Sequence, residues 1–204
     1  MDSTVLLHEY KDRIGLAITF DYGSKHNDAE YLRASHNCKM LEIKHYRVSL
    51  KAVFKYFKSD LLISGGDIPE GHYEDESMKR TVVPFRNGIM LSIAAGIAES
   101  RGFKKILIAN HAGDHAIYPD CRKSFMDFMY MAIYKGTWDE INIDAPYTEI
   151  TKRDIAIKGV KIGVDFTQTY SCYKGGLTHC GLCGTCVERR EALSGFDHTT
   201  YSEL

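Results

Sequence analysis

The chain has 204 residues, 44% of them apolar, with 26 basic and 27 acidic side chains and a formal net charge of -1. That length supports one sizeable core, or one core with a small appendage. The near-neutral charge argues against a protein that grips a nucleic-acid backbone by electrostatics alone, and leaves room only for a local basic patch. No apolar run approaches the roughly 18–20 residues of a bilayer-spanning helix; "MLSIAAGIAE" is broken by Ser92, Gly96 and Glu99. The opening "MDSTVLLHEYKDR" lacks the basic start and apolar stretch of a secretory signal. A cytoplasmic protein is expected, and in a reducing compartment clustered cysteines point to metal binding or catalysis rather than disulfides.

Strand-length apolar runs alternate with segments of helical period. "IGLAITF" (14–20) predicts a strand buried on both faces, "NDAEYLRASH" (27–36) a bridging helix, and "CKMLEIK" (38–44) a second strand. In "VSLKAVFKYF" (48–57), Leu50, Val53, Phe54 and Phe57 fall at i, i+3, i+4 and i+7, an amphipathic helix. "RNGIMLSIAAGIAESRG" (86–102) predicts a long helix closed by Gly102. A strand over 104–110, a helix over 122–136 and a short strand over 140–146 follow. A last helix is expected after Thr151 as N-cap, with Asp154 three residues on. The alternation implies an α/β fold, a parallel sheet flanked by helices. Ligands in such folds sit beyond the carboxyl ends of the strands, which here means "DYGSKHND", the loop before "VVPFRN", and "NHAGDHAIYPDCR". The irregular stretch 65–84 is too long for an ordinary connection and is expected to act as a functional flap.

Four of the six cysteines, Cys172, Cys180, Cys183 and Cys186, lie in "SCYKGGLTHCGLCGTC" as C-x7-C-x2-C-x2-C. Overlapping C-x2-C units in a glycine-rich turn let thiolates converge on one ion, and a closed four-sulfur tetrahedron suits structural zinc. Free thiols, a redox pair or an iron–sulfur cluster are the other readings, and His179 could replace one sulfur. Cys38 is read as a small core residue. The expected organisation is an α/β domain over 1–170 and a zinc-binding C-terminal segment over 171–204 that packs on it.

Taken together, "MDST", "FDYGSKHN", "VVPFRN", "IYPDCR", "TEITKRDI" and "SCYKGGLTHCGLCGTCVERREAL" resemble the 7-cyano-7-deazaguanine synthase family (QueC). This belongs to the ATP-pyrophosphatase (PP-loop) group within the adenine-nucleotide alpha-hydrolase-like fold. The resemblance runs nearly end to end. "MDST" matches the second half of a Ser-Gly-Gly-x-Asp-Ser phosphate loop. The family's first strand and Ser-Gly-Gly are not in the sequence, and the expectation is that translation begins upstream of Met1. The family more often has Gln-Arg where this chain has Ser24-Lys25. The resemblance implies ATP-dependent conversion of 7-carboxy-7-deazaguanine and ammonia to the nitrile, through an adenylated carboxylate and then an adenylated amide. A related enzyme that passes the acid to another acceptor, or an inactive truncated relative, are the alternatives.

The same resemblance assigns roles residue by residue. Asp2, Ser3 and Thr4 would bind the pyrophosphate of ATP, with Asp2 a further ligand for Mg²⁺. Asp21, Tyr22 and Asn87 would line the nucleotide crevice. Lys152 would neutralise phosphate charge, and Arg86 with Asn87 would hold nucleotide or the reacting carboxylate. Tyr118, Asp120 and Arg122 would hold the deazaguanine acid, the tyrosine by stacking, the carboxylate at the guanine-like edge and the arginine at the substrate carboxylate. Zinc and Mg²⁺ are the expected cofactors. ATP, ammonia and the acid are the expected partners, without membrane or direct nucleic-acid binding and with self-association possible. Arg189 and Arg190 are read as surface residues.

Overall fold

In the computed structural model, which describes residues 1–202, the chain gathers into two compact units. The first comprises Met1–Val83 and Lys152–Leu204, the second Pro84–Thr151.

In the first unit, α1 (Asp2–Glu9) leads through a short turn into β1 (Leu16–Asp21). Helix α2 (Asn27–Met40) crosses over to β2 (Lys44–Ser49), which pairs with β1 in parallel from Leu16↔Lys44 to Asp21↔Ser49. Among the described residues no strand lies on the other edge of β1, and Leu16–Phe20 are half-buried rather than buried on both faces. The expected strand over 38–44 is not formed, because α2 runs on to Met40. Its end is a Schellman turn in which the Ile43 N–H donates to the Cys38 carbonyl (2.8 Å) and the Glu42 N–H to the Lys39 carbonyl (3.3 Å). Cys38 and Ile43 pack in one cluster with Leu7, the apolar contact such a turn requires. The left-handed residue is Glu42, at φ 57°, where glycine is usual. Without that glycine the boundary was hidden.

The helix expected over 48–57 shrinks to α3 (Lys51–Phe54), which buries Phe54 and leaves Val53 exposed. The stretch 65–84 is a packed loop. It buries Ile68, Tyr73, Met78, Thr81 and Val83, and contains a 3₁₀ turn, Glu76–Thr81. Helix α6 (Lys152–Lys161) packs on α1 and α7 (Gly184–Ala192) closes the unit.

The second unit holds α4 (Arg86–Ser100), β3 (Lys105–Leu107), α5 (Lys123–Gly136) and β4 (Asn142–Asp144), with β3 and β4 parallel. Gly102 closes α4 as expected: at φ 74° it lets the Phe103 N–H reach the Ala98 carbonyl (2.9 Å). Leu91, Ala95, Ala98, Met126, Ile133 and Ile141 form the core between helices and strands.

Gly159 sets the approach of α6 to α1. A Cβ there would lie 2.5 Å from the Phe166 ring and 2.9 Å from Val5 Cγ2. Alanine normally favours a helix over glycine by about 1 kcal/mol, but overpacking typically costs about 1–3 kcal/mol. Gly159→Ala should therefore lower the denaturation midpoint; a raised midpoint would show that the interface yields to the methyl group.

Candidate active site and metal centre

The cysteine centre grows from a turn that is already folded around its sulfurs. The Cys180 N–H donates to Cys172 Sγ (3.4 Å), and the Leu182 and Cys183 N–H groups donate to Cys180 Sγ (3.4 and 3.3 Å). Cys183 then serves as the N-cap residue of α7, whose first turn carries Cys186. All four sulfurs are buried and lie within 4.8 Å of one another, a group that could hold a metal ion. Cys180 and Cys186 sulfurs are 3.9 Å apart, Cys172 and Cys183 sulfurs 4.0 Å. Hydrogen bonds from Cys172 and Cys186, joined by the Thr185 hydroxyl, push the pKa of Cys183 far down. His179 does not join the ligands: its Nε2 accepts from the Ser171 N–H (3.1 Å) and its ring packs on Tyr170.

The long loop is fastened to this turn. Glu70 bridges to Cys183, and the Gly71 N–H donates to the Leu182 carbonyl. Gly184 has no room for a side chain, since a Cβ would meet Met78 Sδ at 2.9 Å and Tyr73 Cα at 3.2 Å. At the other end of the loop, Lys25 Nζ donates to the carbonyls of Asp60 (2.6 Å) and Gly66 (2.5 Å). Lysine at this position thus closes the base of the loop.

Lys152, the first residue of α6, is nearly buried. Its Nζ lies 2.7 Å from Glu188 Oε2 and 3.3 Å from Asp2 Oδ2, and 5.7 Å from the centre of the Tyr73 ring. The structure therefore brings together Asp2 and Lys152 of the expected site. Thr4 is half-buried beside Asp2 on α1, and Ser3 is exposed. Glu188 was absent from the expected set; its only signal is its place two residues after the last cysteine. Asp21 and Tyr22 occupy the end of β1. Burial works against the Asp21 carboxylate, but hydrogen bonds from Lys51, Arg47 and the Gly23 N–H outweigh it and hold its pKa below the ordinary value. Tyr22 is buried on Phe54 and hydrogen-bonds His26 at 3.3 Å.

Arg189 corrects the surface reading. It is fully buried, whereas Arg190 is exposed. Its guanidinium donates to the Phe166 carbonyl (2.7 Å) and to the hydroxyls of Thr169 (2.8 Å), Ser171 (3.2 Å) and Thr199 (3.0 Å). It ties α7 to the segments before and after the cysteines. Burial lowers its pKa.

In the second unit, Asn87 and Asp120 are joined directly. The Asn87 N–H donates to Asp120 Oδ2 (2.8 Å), and its side-chain amide to the Asp120 carbonyl (3.2 Å) and Cys121 Sγ (3.2 Å). Asp120 thereby covers one of the open N–H groups in the first turn of α4. Phe85, just before Arg86, holds φ 54°, a strained value for a bulky residue. Its ring occupies the space a side chain on Gly88 would need. Arg122 Nε donates to the His115 carbonyl (3.0 Å), and Tyr118 is buried. Asn110 donates to the Cys121 carbonyl (2.8 Å) and the Thr148 hydroxyl (3.2 Å), which fastens 117–122 to the end of β3. Burial, with the Asp114 charge, pushes the Cys121 thiol pKa strongly up, which disfavours it as a nucleophile.

Parallel α/β architecture with a four-thiolate centre on the C-terminal segment defines the class. In fold the chain is similar to the U34-tRNA thiolase NcsA from Methanococcus maripaludis with its [4Fe-4S] cluster, at a TM-score of 0.50 and 16% identity, over 94% of this chain and 59% of that one. The chain belongs to the QueC family, whose model, queuosine biosynthesis protein QueC, matches residues 1–197. It is 59% identical over 193 residues to a 7-cyano-7-deazaguanine synthase of Porphyromonas gingivalis, covering 95% of this chain and 88% of the relative. A synthase of the same name from Desulfotalea psychrophila is 48% identical over 206 residues, 98% of this chain and 94% of the relative. No helix among the described residues is long and apolar enough to cross a membrane.

Two outcomes are expected of this geometry. Purified protein should carry a single metal ion per chain, and Cys183→Ser should lose it and melt at lower temperature; metal-free wild type with an unchanged melt would refute the centre. Arg189→Met, which keeps bulk but strands four acceptors, should cost about 3 kcal/mol or more in denaturant titration.

Proposed function

We propose that the chain converts 7-carboxy-7-deazaguanine and ammonia to 7-cyano-7-deazaguanine at the expense of ATP, in queuosine or related deazapurine biosynthesis. The observation that carries this is the 59% identity to a named synthase over nearly the whole chain. A carboxylate is a poor electrophile because oxide is a poor leaving group. Attack of the carboxylate oxygen on the α-phosphate releases pyrophosphate, and ammonia then displaces AMP to leave the amide. Adenylation of the amide oxygen, again with loss of pyrophosphate, lets the C–O bond break as the nitrogen loses its protons. AMP departs with the nitrile formed.

What the protein supplies in such a scheme is position and countercharge. Asp2, Ser3 and Thr4 bind the pyrophosphate at the start of α1, with Lys152 as its cation. Asp21 and Tyr22 line the nucleotide crevice. Arg86 and Asn87, at the start of α4, hold nucleotide or the reacting carboxylate. Tyr118, Asp120 and Arg122 hold the deazaguanine acid. Asp2, the carboxylate beside Lys152, has the oxygen donor that a Mg²⁺ ion accompanying ATP would require, and that ion would supply countercharge to the phosphates.

Zinc is the metal we assign to the cysteines. A tetrahedron with Zn–S near 2.3 Å has edges of roughly 3.8 Å, close to the observed sulfur separations of 3.9 and 4.0 Å. A four-iron cube spreads its thiolates farther apart than the 4.8 Å that bounds this group. Cys180 and its neighbours leave no open ligand position, so the role is structural. The protein is assigned to the cytoplasm. Self-association belongs to the same proposal.

The test is AMP and product formation with the acid, ammonia, Mg²⁺ and ATP. AMP and nitrile are expected, with Lys152→Ala slowed about 100-fold or more. Folded, metal-loaded protein that releases no AMP would overturn the assignment, and AMP without nitrile would point to another acceptor.

A further inference from the structure

Lys152 is held more closely than a phosphate-binding lysine needs to be for charge alone. Its flexible four-carbon stem ends in an ammonium that can take many positions. Here three separate elements converge on it: Asp2 from α1 at 3.3 Å, Glu188 from α7 at 2.7 Å, and the Tyr73 ring at 5.7 Å. Glu188 makes the shortest contact, with both partners largely shielded from water. It also sits one residue past Val187, whose N–H is bonded to the Cys183 carbonyl (3.0 Å). Its place is therefore fixed by the turn that carries the sulfurs. Tyr73 reaches the site through the same turn, because its backbone is packed against Gly184.

Resting on the functional reading above, we infer that Glu188 is a positioning residue. It holds the Lys152 ammonium where an incoming phosphate meets it, and so makes the cysteine centre a mechanical support for the phosphate site. Asp2 and Glu188 offset the ammonium's charge and so do not strengthen its pull on an anion. The arrangement instead fixes geometry, so removing Glu188 should slow the chemical step more than it weakens ATP binding.

The full-length protein would be compared as wild type, Glu188→Ala, Glu188→Gln, Lys152→Ala and the Glu188→Ala/Lys152→Ala double variant. The readouts are kcat and KM for ATP from AMP release, and labelling of Lys152 by an amine-acylating reagent, read by peptide mass spectrometry. Glu188→Ala should lower kcat about tenfold while KM for ATP moves less than about threefold. Glu188→Gln keeps an acceptor in the same place and should fall between it and wild type; it also serves if the alanine variant folds poorly. The double variant should be no slower than Lys152→Ala, because Glu188 acts through the lysine. Lys152 should label at least about fivefold faster in Glu188→Ala, with exposed Lys161 unchanged as the control. An unchanged kcat, losses that multiply in the double variant, or unchanged Lys152 labelling would each overturn the inference. Folded wild type that releases no AMP would instead overturn the functional reading, and the labelling would still decide whether Glu188 holds Lys152.

Discussion

Four sulfurs confined within 4.8 Å of one another are the constraint that the C-terminal part of the chain obeys. To converge, they need the N–H groups of residues 180, 182 and 183 turned inward, and that turn ends by capping α7. Once α7 starts there, Glu188 faces Lys152 and Arg189 is driven into the interior. The long loop is drawn in as well, through Glu70, Gly71 and the close pass of Tyr73 over Gly184. A metal bound to such a centre stabilises the fold by about 10 kcal/mol or more in small peptides, enough to hold several irregular segments that have little core of their own.

Asp2, Ser3, Thr4, Arg86, Asn87 and Lys152 of the expected site lie in the first turns of helices of their own units, and two of them break a local rule. Lys152 and Arg86 are the first residues of α6 and α4, where the helix dipole disfavours a cation. Lys152 is compensated by Asp2 and Glu188. Arg86 follows a residue in a strained left-handed conformation. Local conflicts of this kind concentrate where function rather than stability sets the sequence. In the second unit, Asn87 and Asp120 do the reverse: a carboxylate meets the N–H of a helix start, the favourable arrangement. Each unit thus presents a cluster built around a helix start, one centred on a paired lysine and one anchored by a carboxylate.

Where sequence reasoning missed, the missing signal was an interaction between distant residues or an unusual residue in a standard turn. Helix α2 was cut short because its stop uses Glu42 and the Cys38–Ile43 contact in place of glycine. The helix over 48–57 had the right spacing of apolar residues, yet Leu50 and Phe54 are buried while Val53 is exposed, and the helix shrinks to Lys51–Phe54. Arg189 looks like any surface arginine until Phe166, Thr169, Ser171 and Thr199 are seen to surround it. Gly102, by contrast, ended its helix as read, since a left-handed glycine stop depends on local geometry alone.

The sequence by itself determined the α/β class, the long helices and the four-cysteine centre, because helical period, strand-length runs and C-x2-C spacing are local. It also carried the motifs by which the family is recognised. Only the tertiary structure decided which carboxylates meet Lys152, that Asp120 covers the Asn87 N–H, and that 65–84 is packed rather than free. Those contacts join residues 33 to 150 positions apart, and no local pattern encodes which distant partner will fill a buried hydrogen bond.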